Sequence, residues 1–447
     1  MEKSAETSGK ILSRWWLIIG VISLAIAGLY AVPLAGMRSP AVKASETLTR
    51  LFRDALVVHV DLSVLVWFLA VACMMWSLIS RNSKPVLPYI EHAALLCFAA
   101  GTLFIALSPL DPASQPLMSN YIPVVYSPVF FLGLSFIFCG VGLMLVQLLF
   151  ARPLSNEFPP ALRFGLITAG VIAAASIAAF LYSGLTLPHG FDLTYHYELL
   201  FWAGGHLLQF THLQILLVAW VLLMSALRPA AIISSKYLYA IFSIGLLAVL
   251  AAPIGYIVGD VTSYEHKQFF TTHMIHLGGL APTILAFWVI ATLWKARETK
   301  HGVQGALWSS LLMSLSLFLY GGLLGLLIQG QNVTIPAHYH GSIVGVTLGF
   351  MGLAYLLMPR LGYRDPAGWR LAFWQPIVYG IGQVMHVSGL AWSGGYGVLR
   401  KTPGGLENAP LDVKAAMGFM GLGGLLAIIG GLMFVIVAYR SISNRKA

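Results

Sequence analysis

Histidine is the residue type here that could do chemistry. The chain carries 13 histidines against 16 acids, and six of them, His59, His206, His273, His276, His338 and His340, stand inside long apolar runs. An imidazole in an apolar setting must be hydrogen-bonded, paired or metal-bound. Its neutral ring ligates haem iron, copper and non-haem iron alike. His338 and His340 are two residues apart, which on a helix sets them about 200° apart. They cannot share one ion, but they can ligate two groups on opposite sides of their helix. His273 and His276, three apart, fall on one face and suit a shared ion. The sequence reads His92, His212 and His386 as hydrogen-bonded packing residues or polar lining groups, and His189, His196 and His301 as loop residues.

The elements that position these rings must be membrane helices. Hydrophobic residues make up 58% of the 447 and charged residues only 9%, too few to cover a soluble domain of this length. The fold class expected is all-α, a polytopic bundle of twelve transmembrane helices near 15–36, 55–80, 88–108, 122–150, 161–184, 197–227, 236–258, 268–295, 303–329, 337–358, 370–392 and 413–439. Connections are short, and 1–447 reads as one catalytic domain without an internal repeat. The first run lacks a small-residue cleavage site and reads as a retained helix.

The formal charge of +10 is spread singly between apolar runs, which argues for membrane topology and against nucleic acid as a partner. With both termini in the cytoplasm, basic residues concentrate in the inner connections. The outer exceptions cluster at 38–53 and 400–414. That topology places the six histidines in the outer half of the membrane, on four helices. Cys73, Cys97 and Cys139 have no CxxC spacing, and without CxxCH any haem would be held by coordination alone.

Twelve helices, an outer-side His on span 2, a His on span 6, His around the start of span 8 and Ala337-His338-Tyr339-His340 at the start of span 10 resemble the catalytic subunit of haem–copper oxidases and nitric oxide reductases. The resemblance covers nearly the whole chain. It implies two haems, most simply haem b, and one copper or non-haem iron ion. His59 and His340 would be the axial ligands of a low-spin haem, and His338 would hold a high-spin haem. His206 and His273 would hold the metal ion, with His276 or His266 as third ligand. Arg400 and Lys401 fall where the family places basic residues on haem propionates.

Two departures bear on the reaction. Thr272-His273 stands where most members have adjacent histidines. Phe210 stands four residues after His206, where oxygen reducers commonly carry a tyrosine and nitric oxide reductases a glutamate. Gln209 is the nearest polar group, and Gly205-His206-Leu207-Leu208-Gln209 looks most like divergent nitric oxide reductase branches. Reducing two NO to N2O and water needs two electrons and no tyrosine, so denitrification-type NO reduction is the expected activity. Oxygen reduction is the alternative, with Tyr256 or Tyr264 as the phenol.

Proton relays are expected among Glu198, Asp260, Glu265, Glu407 and Asp412. Asp61 is expected to make a functional hydrogen bond near His59. Glu91 and Tyr320 form no clear channel from the cytoplasm, so proton pumping is expected to be weak or absent. The chain holds no cupredoxin or cytochrome c domain. A membrane-anchored donor subunit with CuA, cupredoxin or haem c, or a soluble cytochrome c or cupredoxin, is therefore expected on the outer face. Rival classes are a transporter and a non-catalytic membrane haem protein.

Overall fold

The computed structural model describes residues 2–37, 45–81, 87–150, 152–153, 158–229, 233–295, 304–328, 332–396 and 410–443. Within a bilayer each backbone polar group must be satisfied inside its own segment, so the apolar runs form helices. These are α1 (Glu2–Met37), α2 (Glu46–Val60), α3 (Trp67–Ile79), α4 (Leu87–Leu107), α5 (Pro128–Phe150), α6 (Pro160–Thr186), α7 (Leu193–Leu227) and α8 (Ser235–Leu250). They continue with α9 (Ile254–Val258), α10 (Tyr264–His273), α11 (Leu280–Lys295), α12 (Gly305–Gly325), α13 (Thr334–Leu357), α14 (Arg370–Gly395) and α15 (Leu411–Ser443). Two π-helical segments interrupt this series, Asp61–Val66 between α2 and α3 and Met274–Gly278 between α10 and α11.

Among the described residues, eleven segments are long and apolar enough to cross a membrane. The twelfth expected span, 370–392, is the helix α14, whose 26 residues include Gln375, Gln383 and His386 and are less apolar. The expected start of span 4 at residue 122 is corrected to Pro128. Residues before it form an antiparallel hairpin instead, β2 (Gln115–Leu117) on β3 (Val124–Tyr126). Proline at 116 and 123 breaks helical hydrogen bonding there, and Pro128 opens α5, where the missing N–H costs nothing. The expected span 236–258 is divided at 251–253 into α8 and α9, where Pro253 has no N–H to give.

Backbone contacts divide the chain into two compact units. The first comprises Met1–Gly20, Leu65–Val221 and Pro229–Lys295. Its core is aromatic, with Trp16, Trp67, Trp76, Trp220, Phe98 and Phe270 fully buried. The second comprises Val21–Val64, Leu222–Arg228 and Ala296–Ala447, with Phe52, Tyr355, Tyr363 and Phe434 enclosed. Large apolar side chains such as Leu96, Leu149, Leu185, Ile257, Leu326 and Leu432 stay exposed. In a chain this apolar, lipid is the solvent that suits them.

Candidate metal and haem centre

In the first unit, α7 carries Trp202, His206 and Phe210 at four-residue spacing, hence on one face. The Nδ1 of His206 lies 2.7 Å from the Trp202 carbonyl oxygen. A carbonyl only accepts, so Nδ1 carries the proton and Nε2 carries the lone pair. The hydroxyl of Tyr121 donates to that Nε2 at 2.5 Å. His206 is 2% exposed.

Helix α10 supplies the other two buried imidazoles. Ser263 caps it by accepting the His266 backbone N–H at 3.1 Å. His266 gives its Nδ1–H to the Gly255 carbonyl at 2.9 Å, and its Nε2 has no partner. Seven residues on, His273 gives its Nε2–H to the Ala248 carbonyl at 2.7 Å, and its Nδ1 has no partner. The two are 0% and 7% exposed. Phe270 lies among the three histidines, its ring centroid 6.3 Å from His206, 5.0 Å from His266 and 6.5 Å from His273. Phe210 packs on His273 at 5.2 Å.

The structure therefore brings His206, His266 and His273 into one aromatic nest. Among the described residues, no three His, Cys, Asp or Glu side chains already converge on a single point. Donor chemistry nonetheless fits a metal ion. A buried ring nitrogen left without a hydrogen bond costs about 1–3 kcal/mol, and coordination would relieve it.

His276, expected on the same face as His273, is exposed, and its Nδ1 bonds the Thr272 carbonyl at 2.8 Å. The reason is local. His276 lies in the π segment, whose wider turn leaves it short of the His273 face. Gln209 is half-buried and makes no hydrogen bond among the described residues.

In the second unit, His59 near the end of α2 donates its Nδ1–H to the Ala27 carbonyl on α1 at 2.9 Å. His338 does the same to the Gly321 carbonyl on α12 at 2.8 Å. In both, Nε2 is left to ligate, the arrangement by which a second hydrogen bond fixes a ligand's tautomer. Gly321 is the reason α13 can come this close to α12: a Cβ there would lie 2.2 Å from the Ser342 nitrogen. His340 is half-buried, its ring 5.0 Å from that of His386. Asp61 is 1% exposed and neither of its oxygens is hydrogen-bonded. The hydrogen bond expected of it is thus not made by a protein group among the described residues. His59 and His338 fit a haem by their free Nε2. Arg400 and Lys401 lie outside the described residues, as does Glu407.

Toward the surface of the first unit, Asn120 donates to Glu198 at 2.9 Å, and Glu198 pairs with Lys267 at 3.6 Å. The Lys267 ammonium lies 4.4 Å from the Trp202 ring, and the Trp202 indole N–H donates to the Lys267 carbonyl at 3.1 Å. Asp260, in the α9–α10 connection, accepts from the Thr262 hydroxyl at 2.7 Å and from its amide at 3.0 Å. Those bonds hold its carboxyl below the ordinary range.

Tyr121 is the site residue that sequence reasoning missed. It lies between β2 and β3 with φ of 68°, in the left-handed region. Burial, with the charge of Glu198 adding to it, raises its hydroxyl above the ordinary tyrosine range. The available signal was the pair Gly204-Gly205 just before His206. A Cβ on Gly205 would lie 2.5 Å from the Tyr121 Cβ, so glycine there lets the phenol reach the histidine.

Comparison with known proteins fits this arrangement. The family model described as "Cytochrome C and Quinol oxidase polypeptide I" matches residues 11–433. An uncharacterized protein of Rickettsia prowazekii (strain Madrid E) is 32% identical, over 98% of this chain and 97% of its own. One from Aquifex aeolicus (strain VF5) is 29% identical, over 79% of this chain and 86% of its own. Among solved structures, a heme-copper terminal oxidase dimer shares the fold with a TM-score of 0.77 and 19% identity, covering 98% of this chain and 85% of that one. Its many apolar helices make this chain a multi-pass membrane protein, and the family's members usually bind haems and a copper or other metal. The chain is an oxidoreductase of the cytochrome c and quinol oxidase polypeptide I family.

Proposed function

We propose that this chain reduces nitric oxide to nitrous oxide, two NO with two electrons and two protons giving N2O and water. The observation that carries the reading is Phe210. One turn beyond His206, it presents an apolar ring packed 5.2 Å from His273, with no phenol or carboxylate. When bound, haem iron and a copper or iron ion supply Lewis acidity and electrons.

The chain's own residues do the rest. His338 would hold the high-spin haem by Nε2, while His59 and His340 would hold the low-spin haem. His206 and His273 would hold the ion, with His266 favoured over His276 as third ligand because its Nε2 is buried and unpartnered. The Trp202, Ala248 and Gly255 carbonyls fix which nitrogen of each ring is offered. Phe210, Phe269 and Phe270 exclude water around those rings. Proton entry is assigned to the outer side, past Glu198, with Asp260 and Glu265 nearby in sequence. Localisation to the cytoplasmic membrane with both termini inside, and an outer-face donor carrying CuA, cupredoxin or haem c, complete the reading.

A second reading, reduction of O2 to water, is favoured by one observation, the Tyr121 hydroxyl on His206. Anaerobic turnover of the purified protein with NO, turnover with O2, and iron and copper quantification test the two together. N2O formation with two haem irons and one further metal is the expected result. Water formation from O2 without N2O would replace the first reading by the second. Absence of haem would overturn both.

A further inference from the structure

We infer that His386 is a positioning residue of His340, its ring accepting the N–H that His340 keeps when its other nitrogen binds haem iron. The inference rests on the low-spin haem ligand role proposed for His340. A ligating histidine keeps one N–H, and the group that takes this proton sets the ring's tautomer, orientation and basicity. For His59 and His338 a main-chain carbonyl takes it, from Ala27 and Gly321. Beside His340 on α13 stands a second imidazole, His386 on α14, with ring centroids 5.0 Å apart and planes tilted by 40°. Two imidazoles joined by an N–H···N bond of about 3 Å have their centres about 5 Å apart. The protons fit one direction only. Nδ1 of His386 lies 3.1 Å from the Met420 carbonyl oxygen, which only accepts, so Nδ1 carries the proton and Nε2 the lone pair. His386 thus offers His340 an acceptor, and the chain runs from the His340 N–H through the His386 ring to the Met420 carbonyl on α15.

The fold fixes His386 from three helices. A Cβ on Gly423 would collide with the His386 backbone nitrogen, and one on Gly424 would lie 3.4 Å from its Nδ1, so α15 lies directly against the residue. Ala337, three residues before His340, shares a buried apolar cluster with Val387 and Met420. On α12 the Tyr320 hydroxyl lies 2.9 Å from that of Ser388, two residues past His386. The second imidazole is therefore held at a set distance from the first.

An acceptor on that N–H makes the imidazole a stronger donor to iron, which favours the oxidised haem. Removing it should shift the oxidised-to-reduced ratio of the low-spin haem, at fixed potential, about three- to tenfold toward reduced. As a one-electron midpoint that is about 30–60 mV upward. Full-length, haem-loaded wild type, His386→Leu and His386→Gln would be titrated anaerobically while the low-spin band is followed. Leucine fills space and accepts nothing, whereas glutamine accepts through its amide oxygen. A raised midpoint in His386→Leu that returns toward wild type in His386→Gln supports the inference. An unchanged midpoint in His386→Leu, or an equal shift in both variants, overturns it, since packing alone would then explain the residue. If His386→Leu assembles no haem, His386→Asn, one methylene shorter than glutamine, takes its place under the same criteria. Loss of haem in all three variants also overturns it, because His386 would then be a folding residue. A low-spin band that survives His340→Ala would instead overturn the ligand role of His340, a separate failure.

Discussion

In the second unit, His59 and His338 each tie Nδ1 to a main-chain carbonyl of a neighbouring helix and remain half-buried. In the first unit, His206, His266 and His273 also bond main-chain carbonyls, yet they are almost wholly enclosed by aromatic rings. The bond is shared and the packing is not. On the proposed reading the contrast follows from the size of what each set binds. A haem is a broad plane and needs ligands that face an opening, whereas one ion needs only three lone pairs. The contrast also shows which observation is diagnostic. A carbonyl tie alone is common, since His386 makes one to Met420 at 3.1 Å. A buried ring nitrogen without a partner occurs at His212 as well, so what sets His266 and His273 apart is that sign together with their place beside His206 around Phe270.

The largest effect should separate the two sets outright. His206→Ala is expected to cut turnover at least about 100-fold while leaving the low-spin haem spectrum intact. His59→Ala should do the reverse to the spectrum, removing the low-spin band and sparing the non-haem metal. If His206→Ala abolished the low-spin band, the division of labour between the units would be wrong.

Next in size is the choice of third ligand. His266→Ala should weaken binding of the non-haem metal about 10- to 100-fold, and His276→Ala should leave it unchanged. The opposite pattern would mean that an exposed ring on the π segment turns inward in the loaded protein.

Gly205→Ala tests the aromatic enclosure itself. Its Cβ would meet the Tyr121 Cβ at 2.5 Å, so overpacking should cost about 1–3 kcal/mol, read as a lower midpoint of thermal unfolding. Ala at Gly28, where a Cβ meets nothing within 4 Å, is the matched control.

The smallest effect concerns pH. The Asp260 carboxyl is held below its ordinary value by Thr262, so its contribution is full above the ordinary carboxylate range. It should fade as pH falls through the lower folded value. The protection of the Thr262 amide relative to its intrinsic exchange rate should fall in that acid window, and Asp260→Asn should remove the dependence. A dependence that survives the substitution would assign it elsewhere.

Much of this was legible in the residues. Apolar runs marked the helices, because lipid leaves the backbone no other partner. The positions of His59, His206, His338 and His340 along their helices followed from counting. Two features were not legible, each for a physical reason. The same-face reading of His273 and His276 assumed an α-helical turn throughout, and the π segment Met274–Gly278 changes the angle where it matters. Tyr121 sits in a proline-broken connection, where no periodicity says which way a side chain faces. Its positive φ is a property of the folded loop and leaves no pattern in the string.

That π segment has one further consequence. Each wide turn accommodates a residue beyond the α-helical count, so it acts as a phase shifter within a continuous rod. The face of α10 that turns His266 and His273 inward and the face of α11 that offers Ile284, Phe287 and Trp294 outward can be set separately. Deleting one residue from Met274–Gly278 would return the rod to a single phase. The imidazoles would keep their places, while the downstream face would rotate by about 100°. Such a deletion would convert a question about metal binding into one about membrane insertion.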